Sequence, residues 1–219
     1  MKRPIRRAFS LLELLVVMAI VGLLSALLLP SVISIMRGSQ LTRAGDRIVA
    51  LLSLARQTAL AKNHSVEVRL YQFGDAETPG ETSSNPASGK YRAIQAFEID
   101  DTGKATPSGR SEVLPTTIIM DSGAALSTLP AKLKDKIWTS VLDPQISIPR
   151  AGTSYNCRSF RFLPDGSVSS GGTAGLSKTD KWYLTLHNIV EGDGLSIPPS
   201  NYISVQIDPV NGSLKTWQP

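Results

Sequence analysis

The 219-residue sequence has a single cysteine, Cys157, and two histidines, His64 and His187. One cysteine excludes an intrachain disulfide. One thiol and two imidazoles far apart in sequence do not make a structural zinc site, which needs about four closely spaced ligands. Aromatic residues are only 6% of the chain. There is no G-x-S-x-G elbow, no phosphate loop and no H-E-x-x-H helix, so no common catalytic framework is present. Charge is also scarce where it matters most: between Phe9 and Met36 the only charged residue is Glu13.

The net charge is +5, and Lys2, Arg3, Arg6 and Arg7 supply four of those charges, leaving 5 − 4 = +1 for the rest. The high isoelectric point therefore does not establish a basic face for nucleic acid. The run from Phe9 to Met36 is long enough for a membrane-crossing helix, which needs about 20 apolar residues. The basic cluster before it predicts a cytoplasmic N-terminus and the remainder outside. An ordinary secretory signal is shorter and ends at small residues; Ala26 offers such an end, but the helical pattern continues past it in register. Glu13 is out of place in an ordinary signal, because a carboxylate in a bilayer costs roughly 2.5–3.5 kcal/mol or more. It is a functional candidate for that reason.

Residues Ala8-Phe9-Ser10-Leu11-Leu12-Glu13 and the apolar run to Leu24 resemble the processing signal of type IV pilins and type II secretion pseudopilins. The resemblance implies that a prepilin peptidase cuts between Ala8 and Phe9, that the Phe9 amine is methylated, and that Glu13 takes part in subunit assembly. Pro30 falls where many family members have a helix-bending proline. Ala8 departs from the usual glycine before the cut. A buried carboxylate is tolerated only when paired, and the amine of a neighbouring subunit's Phe9 is the implied partner.

Beyond Pro30 the positions Leu41, Ala44, Ile48, Leu51, Leu52, Ala55 and Ala59 recur at helical spacing and predict an amphipathic helix with one buried face. Asn63 is the expected end, since asparagine tolerates the left-handed conformation. Strand signals follow. Ser65–Tyr71 alternates, with Val66, Val68 and Leu70 on one side and Glu67 and Arg69 on the other. Gly74–Gly89 reads as an exposed loop, Tyr91–Ile99 as a strand, and Val113–Met120 as a third strand entered through Pro115. Ala131–Trp138 is read as a short helix and Gly152–Asn156 as loop. Ser159–Leu163 is a strand ended by the turn Pro164-Asp165-Gly166. Gly171 and Gly172 mark a loop. Trp182–Leu186 and Tyr202–Ile207 are strands, and Asn211-Gly212 signals a hairpin into Ser213–Trp217.

The segments Phe160–Ser167, Tyr202–Ile207 and Asn211–Leu214, with the helix-to-strand junction from Ala55 to Val68, are similar to minor pseudopilins of the GspH/FimT type. The expected fold class is α+β: a long N-terminal α-helix, part membrane and part amphipathic, packed on an antiparallel pilin-like sheet. The expected organisation is a leader 1–8, an assembly helix 9–36, its amphipathic continuation 37–63, and a β-rich periplasmic head 64–219. The implied protein is a structural subunit of the inner membrane that passes into a periplasmic or extracellular fibre. It is not an enzyme and needs no cofactor or metal. Its implied partners are other pilin-like subunits, the prepilin peptidase and an inner-membrane assembly platform.

A second reading is a DNA-binding minor pilin, which needs clustered cations; Arg150, Arg158, Arg161, Lys178, Lys181 and Lys215 are its candidates. A third is a membrane-anchored enzyme. His64 is placed at the helix–strand junction, His187 at a strand end or edge, and Cys157 as a small buried hydrophobe. Asp100, Asp101 and Gly103 form an acidic turn too short for a calcium loop. Asn63-His64-Ser65 and Asn211-Gly212-Ser213 match the N-glycosylation pattern by chance.

Overall fold

A computed structural model describes residues 10–78, 80–82, 85–138, 140–143, 145–170 and 176–219, with the backbone alone for 27–35 and 87. The expected loop at Gly171 and Gly172, the residues Ala8 and Phe9, and the side chain of Pro30 lie outside the described residues. The chain divides into two compact units, one ending at Ser39 and the other spanning Gln40–Pro219. The helix α1 (Leu11–Lys62) contributes to both.

In the first unit the described side chains of Leu11, Leu12, Leu14, Leu15, Met18 and Leu23 are exposed. Among the described residues no helix is long and apolar enough to cross a membrane.

In the second unit Leu41, Ala44, Ile48, Leu52, Ala55 and Ala59 of α1 are buried, and Leu51 packs against the same core. The predicted apolar stripe is thus the face that meets the sheet. Asn63 ends the helix with φ 57°, in the left-handed region. The sheet holds β1 (Ser65–Phe73), β2 (Lys90–Ile99), β3 (Ala105–Pro107), β4 (Glu112–Val113), β5 (Ile118–Met120), β6 (Asn156–Phe162), β7 (Val168–Ser169), β8 (Trp182–Asn188), β9 (Tyr202–Ile207) and β10 (Leu214–Trp217). Its order is β10-β9-β8-β5-β2-β1-β6-β7, with β3 and β4 also paired to β2. Every pairing is antiparallel. The fold is α+β, as expected. β5 joins β2 through one registered pair, Tyr91 with Met120.

The alternation in β1 separates two faces, but both are covered. Val66, Val68 and Leu70 face the helix-side core. Tyr71 and Phe73 join a second cluster with Ala93, Ile148, Ala151, Tyr155 and Cys157, against which Trp138 and Ile146 pack. Glu67 and Arg69, on that second face, are 1% and 0% exposed. The described residues of the segment 133–155, with Trp138, Ile146, Ile148, Ala151 and Tyr155 packed on that face, therefore supply a layer over β1 and β2.

Several expectations are corrected. Val113–Met120 is two strands, not one: Pro115 has no N–H for a ladder, and Ile118 N turns back to donate to Pro115 O. The short helix is α2 (Thr128–Lys132), not Ala131–Trp138. Leu133 is already extended, and Lys136 N donates to Cys157 O, so the following residues run along β6. The loop after β1 is not exposed at its start, since Asp75 is buried under an ion pair with Arg150. Of the two places expected for His187, the strand end holds, since it is the penultimate residue of β8, and the sheet edge does not, since β8 lies between β5 and β9.

The two late turns pack together. Val168 N donates to Pro209 O, and Arg56 Nε of α1 donates to Asn211 O at 3.0 Å. Gly212 has φ 66°, and a Cβ there would lie 2.6 Å from Gly166 O.

Candidate functional site

Ser10 immediately precedes the helix α1. Ser10 Oγ accepts from Glu13 N at 3.2 Å, and the Glu13 carboxylate accepts from Ser10 N at 2.9 Å and from Ser10 Oγ at 3.0 Å. This is a reciprocal capping box, in which each side chain satisfies the other residue's backbone donor. Sequence reasoning singled out Glu13 but missed Ser10, although the Ser-x-x-Glu spacing carries the signal. The arrangement fixes a carboxylate in the first turn, at the positive end of the helix dipole.

The head places its other candidates apart. Cys157 is 2% exposed, and burial pushes its thiol well above the ordinary range, so it is not an activated nucleophile. Asp100 closes a plain turn: its Oδ1 accepts from Thr102 N, Thr102 Oγ1 and Lys104 N. His64 bonds Glu98 at 3.0 Å beside Lys62. Among the described residues no group of His, Cys, Asp and Glu is arranged to hold a metal ion. Three arginines of the DNA reading are engaged by carboxylates: Arg150 by Asp75, Arg158 by Asp135, and Arg161 by Glu67.

Glu67 is the hub of a buried network. It takes Arg69 at 2.7 Å, Lys136 at 2.6 Å and Arg161 at 2.9 Å, while Asp143 bonds both Arg69 and Lys136. Burial alone would raise the Glu67 carboxyl, but Arg69 and Lys136 outweigh it and hold the group down at about 2. The Arg69 guanidinium also lies 3.6 Å over the Phe97 ring. The network ties the 133–155 layer to β1.

A groove of about 380 Å³ lies on the outer side of β8–β10, lined by Lys181, Tyr183, Tyr202, Gln206 and Trp217 together with Leu126 and Pro198.

The prokaryotic N-terminal methylation motif matches residues 3–29, and the model of the Type II transport protein GspH matches residues 44–189. The chain belongs to the GspH family. No curated protein matches it. Among solved structures it is similar to the minor pseudopilin EpsH from the Type 2 Secretion System of Vibrio cholerae, at 11% identity and a TM-score of 0.43, covering 82% of this chain and 98% of that one. It is also similar to the type IV minor pilin FimU of Pseudomonas aeruginosa, at 11% identity and a TM-score of 0.41, covering 83% and 93%.

The methylation motif includes Ala8, Phe9, Ser10 and Glu13. The GspH match runs from the head half of α1 through β8 and ends before β9 and β10. The groove therefore takes Tyr202, Gln206 and Trp217 from beyond the matched region.

Proposed function

We propose that this pseudopilin-family chain is a minor structural subunit that assembles through α1 into a pseudopilus or type IV pilus-like fibre. In this reading a prepilin peptidase hydrolyses the Ala8–Phe9 bond and the freed Phe9 amine is methylated. The chain waits in the inner membrane with its basic leader in the cytoplasm and its head in the periplasm. An assembly platform then lifts it into the fibre beside other pilin-like subunits. No catalytic step belongs to this role.

The observation that carries the reading is the methylation motif over residues 3–29 on a chain whose Glu13 carboxylate stands in the first turn of a 52-residue helix. In the single subunit Ser10 satisfies that carboxylate. In a fibre, a neighbouring subunit's amine takes over from solvating water and supplies the counter-charge, and pairing is what makes such burial tolerable. The apolar side chains beside it, Leu11, Leu12, Leu14 and Leu15, are exposed, as expected of a surface that is covered by lipid or by other helices.

The test is mass spectrometry of the mature N-terminus after co-expression with the cognate peptidase. A methylated Phe9 is the expected result. An intact Met1, or a cut at Ala26 or later, overturns the processing step. In a processed background, Glu13→Gln is expected to abolish incorporation into fibres while leaving cleavage intact; normal incorporation overturns the assigned role of Glu13.

A further inference from the structure

One buried pair in the head, His187 with Asp121, lies outside α1. His187, near the end of β8, is 0% exposed, as is Asp121, which follows β5. His187 Nε2 lies 3.1 Å from Asp121 Oδ2, and His187 Nδ1 lies 3.0 Å from Asn188 O. Both ring nitrogens thus face acceptors. A neutral imidazole has one N–H and one lone pair. Either tautomer would press its lone pair against a carboxylate or a carbonyl oxygen. Only the imidazolium donates to both.

Asp121 has further partners. Its Oδ2 accepts from Gly194 N at 3.0 Å and Leu195 N at 3.2 Å, and its Oδ1 accepts from Gly123 N at 2.8 Å. The same loop is held by Asp193, whose Oδ1 accepts from Ser122 N and whose Oδ2 lies 3.3 Å from Lys90 Nζ. The charged groups around His187 are therefore Asp121, Asp193 and Lys90, and its register partner on β9 is Tyr202. With His187 protonated these charges balance. Without the proton one negative charge is left over in a buried site, which is costly.

The loop runs on to Pro198, which lines the groove on β8–β10. The Leu126 part of the lining has further ties to β8, because Thr185 N donates to Ser127 Oγ and Tyr183 N to Thr128 Oγ1.

We propose that His187 and Asp121 form a protonation latch on the loop 192–198. Protonated His187 fixes Asp121 where it binds the amides of Gly194 and Leu195. Loss of the proton loosens the hold of Asp121 on the loop, leaving the Asp193 contacts, and lets the groove widen at Pro198. The pKa direction agrees: burial pulls His187 down, but its bonds to Asp121 and Asn188 outweigh burial and raise it above the ordinary value. A raised imidazole holds its stabilising contribution below the unfolded value of about 6.5 and loses it as pH climbs through the folded value.

The test is hydrogen exchange of the loop amides in the full-length protein in detergent, from about pH 5 to about pH 9, corrected for intrinsic rates. Protection at Leu195 is expected to fall about tenfold or more across the His187 titration, and that at Gly194 to fall less, because Gly194 N also donates to Asp193 Oδ1 at 2.8 Å. His187→Gln is expected to show the low protection at every pH. Exchange that is independent of pH, or equal in the two proteins, overturns the latch. Because the variant can fail to fold, ¹⁵N-histidine spectra of the wild-type protein are the second measurement, with His64→Gln to assign the two rings. An imidazolium at neutral pH supports the proposal, and a neutral tautomer there overturns it.

Discussion

Gly45 of α1 faces Ile203 of β9 so closely that a Cβ on the glycine would lie 2.6 Å from Ile203 Cδ1 and 3.1 Å from Cγ2. The absent side chain is what lets the helix meet the sheet. Gly45→Ala gains about 1 kcal/mol of helix propensity, and the end of an isoleucine can shift, so its net effect on stability is expected to be small. Gly45→Val cannot be accommodated that way and is expected to cost about 1–3 kcal/mol. Denaturant unfolding of the pair separates packing from propensity; equal midpoints would refute the close approach.

Glu67 supplies the acid sensitivity of the head. Its carboxyl falls from its ordinary value of 4.5 to about 2, so its contribution is present above the ordinary value and is lost as pH falls from about 4.5 toward 2. Glu67→Gln leaves Arg69, Lys136 and Arg161 short of a counter-charge, and is expected to cost about 3–5 kcal/mol. Urea unfolding at neutral pH and at about pH 3 checks both: the variant should be weaker at neutral pH, and the difference should shrink as pH falls below about 4.5.

Gly212 and Gly103 make a controlled comparison. Both have positive φ, 66° and 82°, but a Cβ on Gly103 meets nothing within 4 Å whereas one on Gly212 meets Gly166 O. Alanine at Gly103 bears only the conformational penalty of about 1 kcal/mol. Alanine at Gly212 is expected to lose more, about 2–3 kcal/mol, because the two turns must part. Thermal melts of the two variants measure the difference directly.

Cys157 reports on unfolding. It is buried and its thiol is raised by burial, so alkylation of the native protein is expected to be slow and to quicken only when the head opens. Labelling in a urea series should follow the unfolding curve. Fast labelling without denaturant would mean that the 133–155 layer does not cover β6.

The helix, its Asn63 terminus and the long strands were legible because their signals are local: a 3.6-residue stripe, a left-handed cap and alternation. The layer over β1 was not. It is irregular backbone, held by pairs such as Lys136 with Glu67 and Asp143 with Arg69 that lie far apart in sequence. The same reason hid the significance of His187, whose partner Asp121 stands 66 positions away. Glu13 stood out because a lone carboxylate in an apolar run is costly wherever the chain folds. The apolar run Val113–Met120 reads as one strand in sequence, but Pro115 breaks it, because it has no N–H for a ladder.

The single registered pair between Tyr91 and Met120 has a mechanical meaning. It divides the ten strands into a β10-β9-β8-β5 panel and a β2-β1-β6-β7 panel that also carries β3 and β4 on β2. Little backbone bonding crosses between them, so tension across the sheet is borne there mainly by the oily layer beneath, where Ile94, Met120 and Leu186 share one cluster with Ile48 and Leu52 of α1. The helix acts as the brace behind a seam, and a pulled head is expected to tear between β2 and β5 before any long ladder gives way.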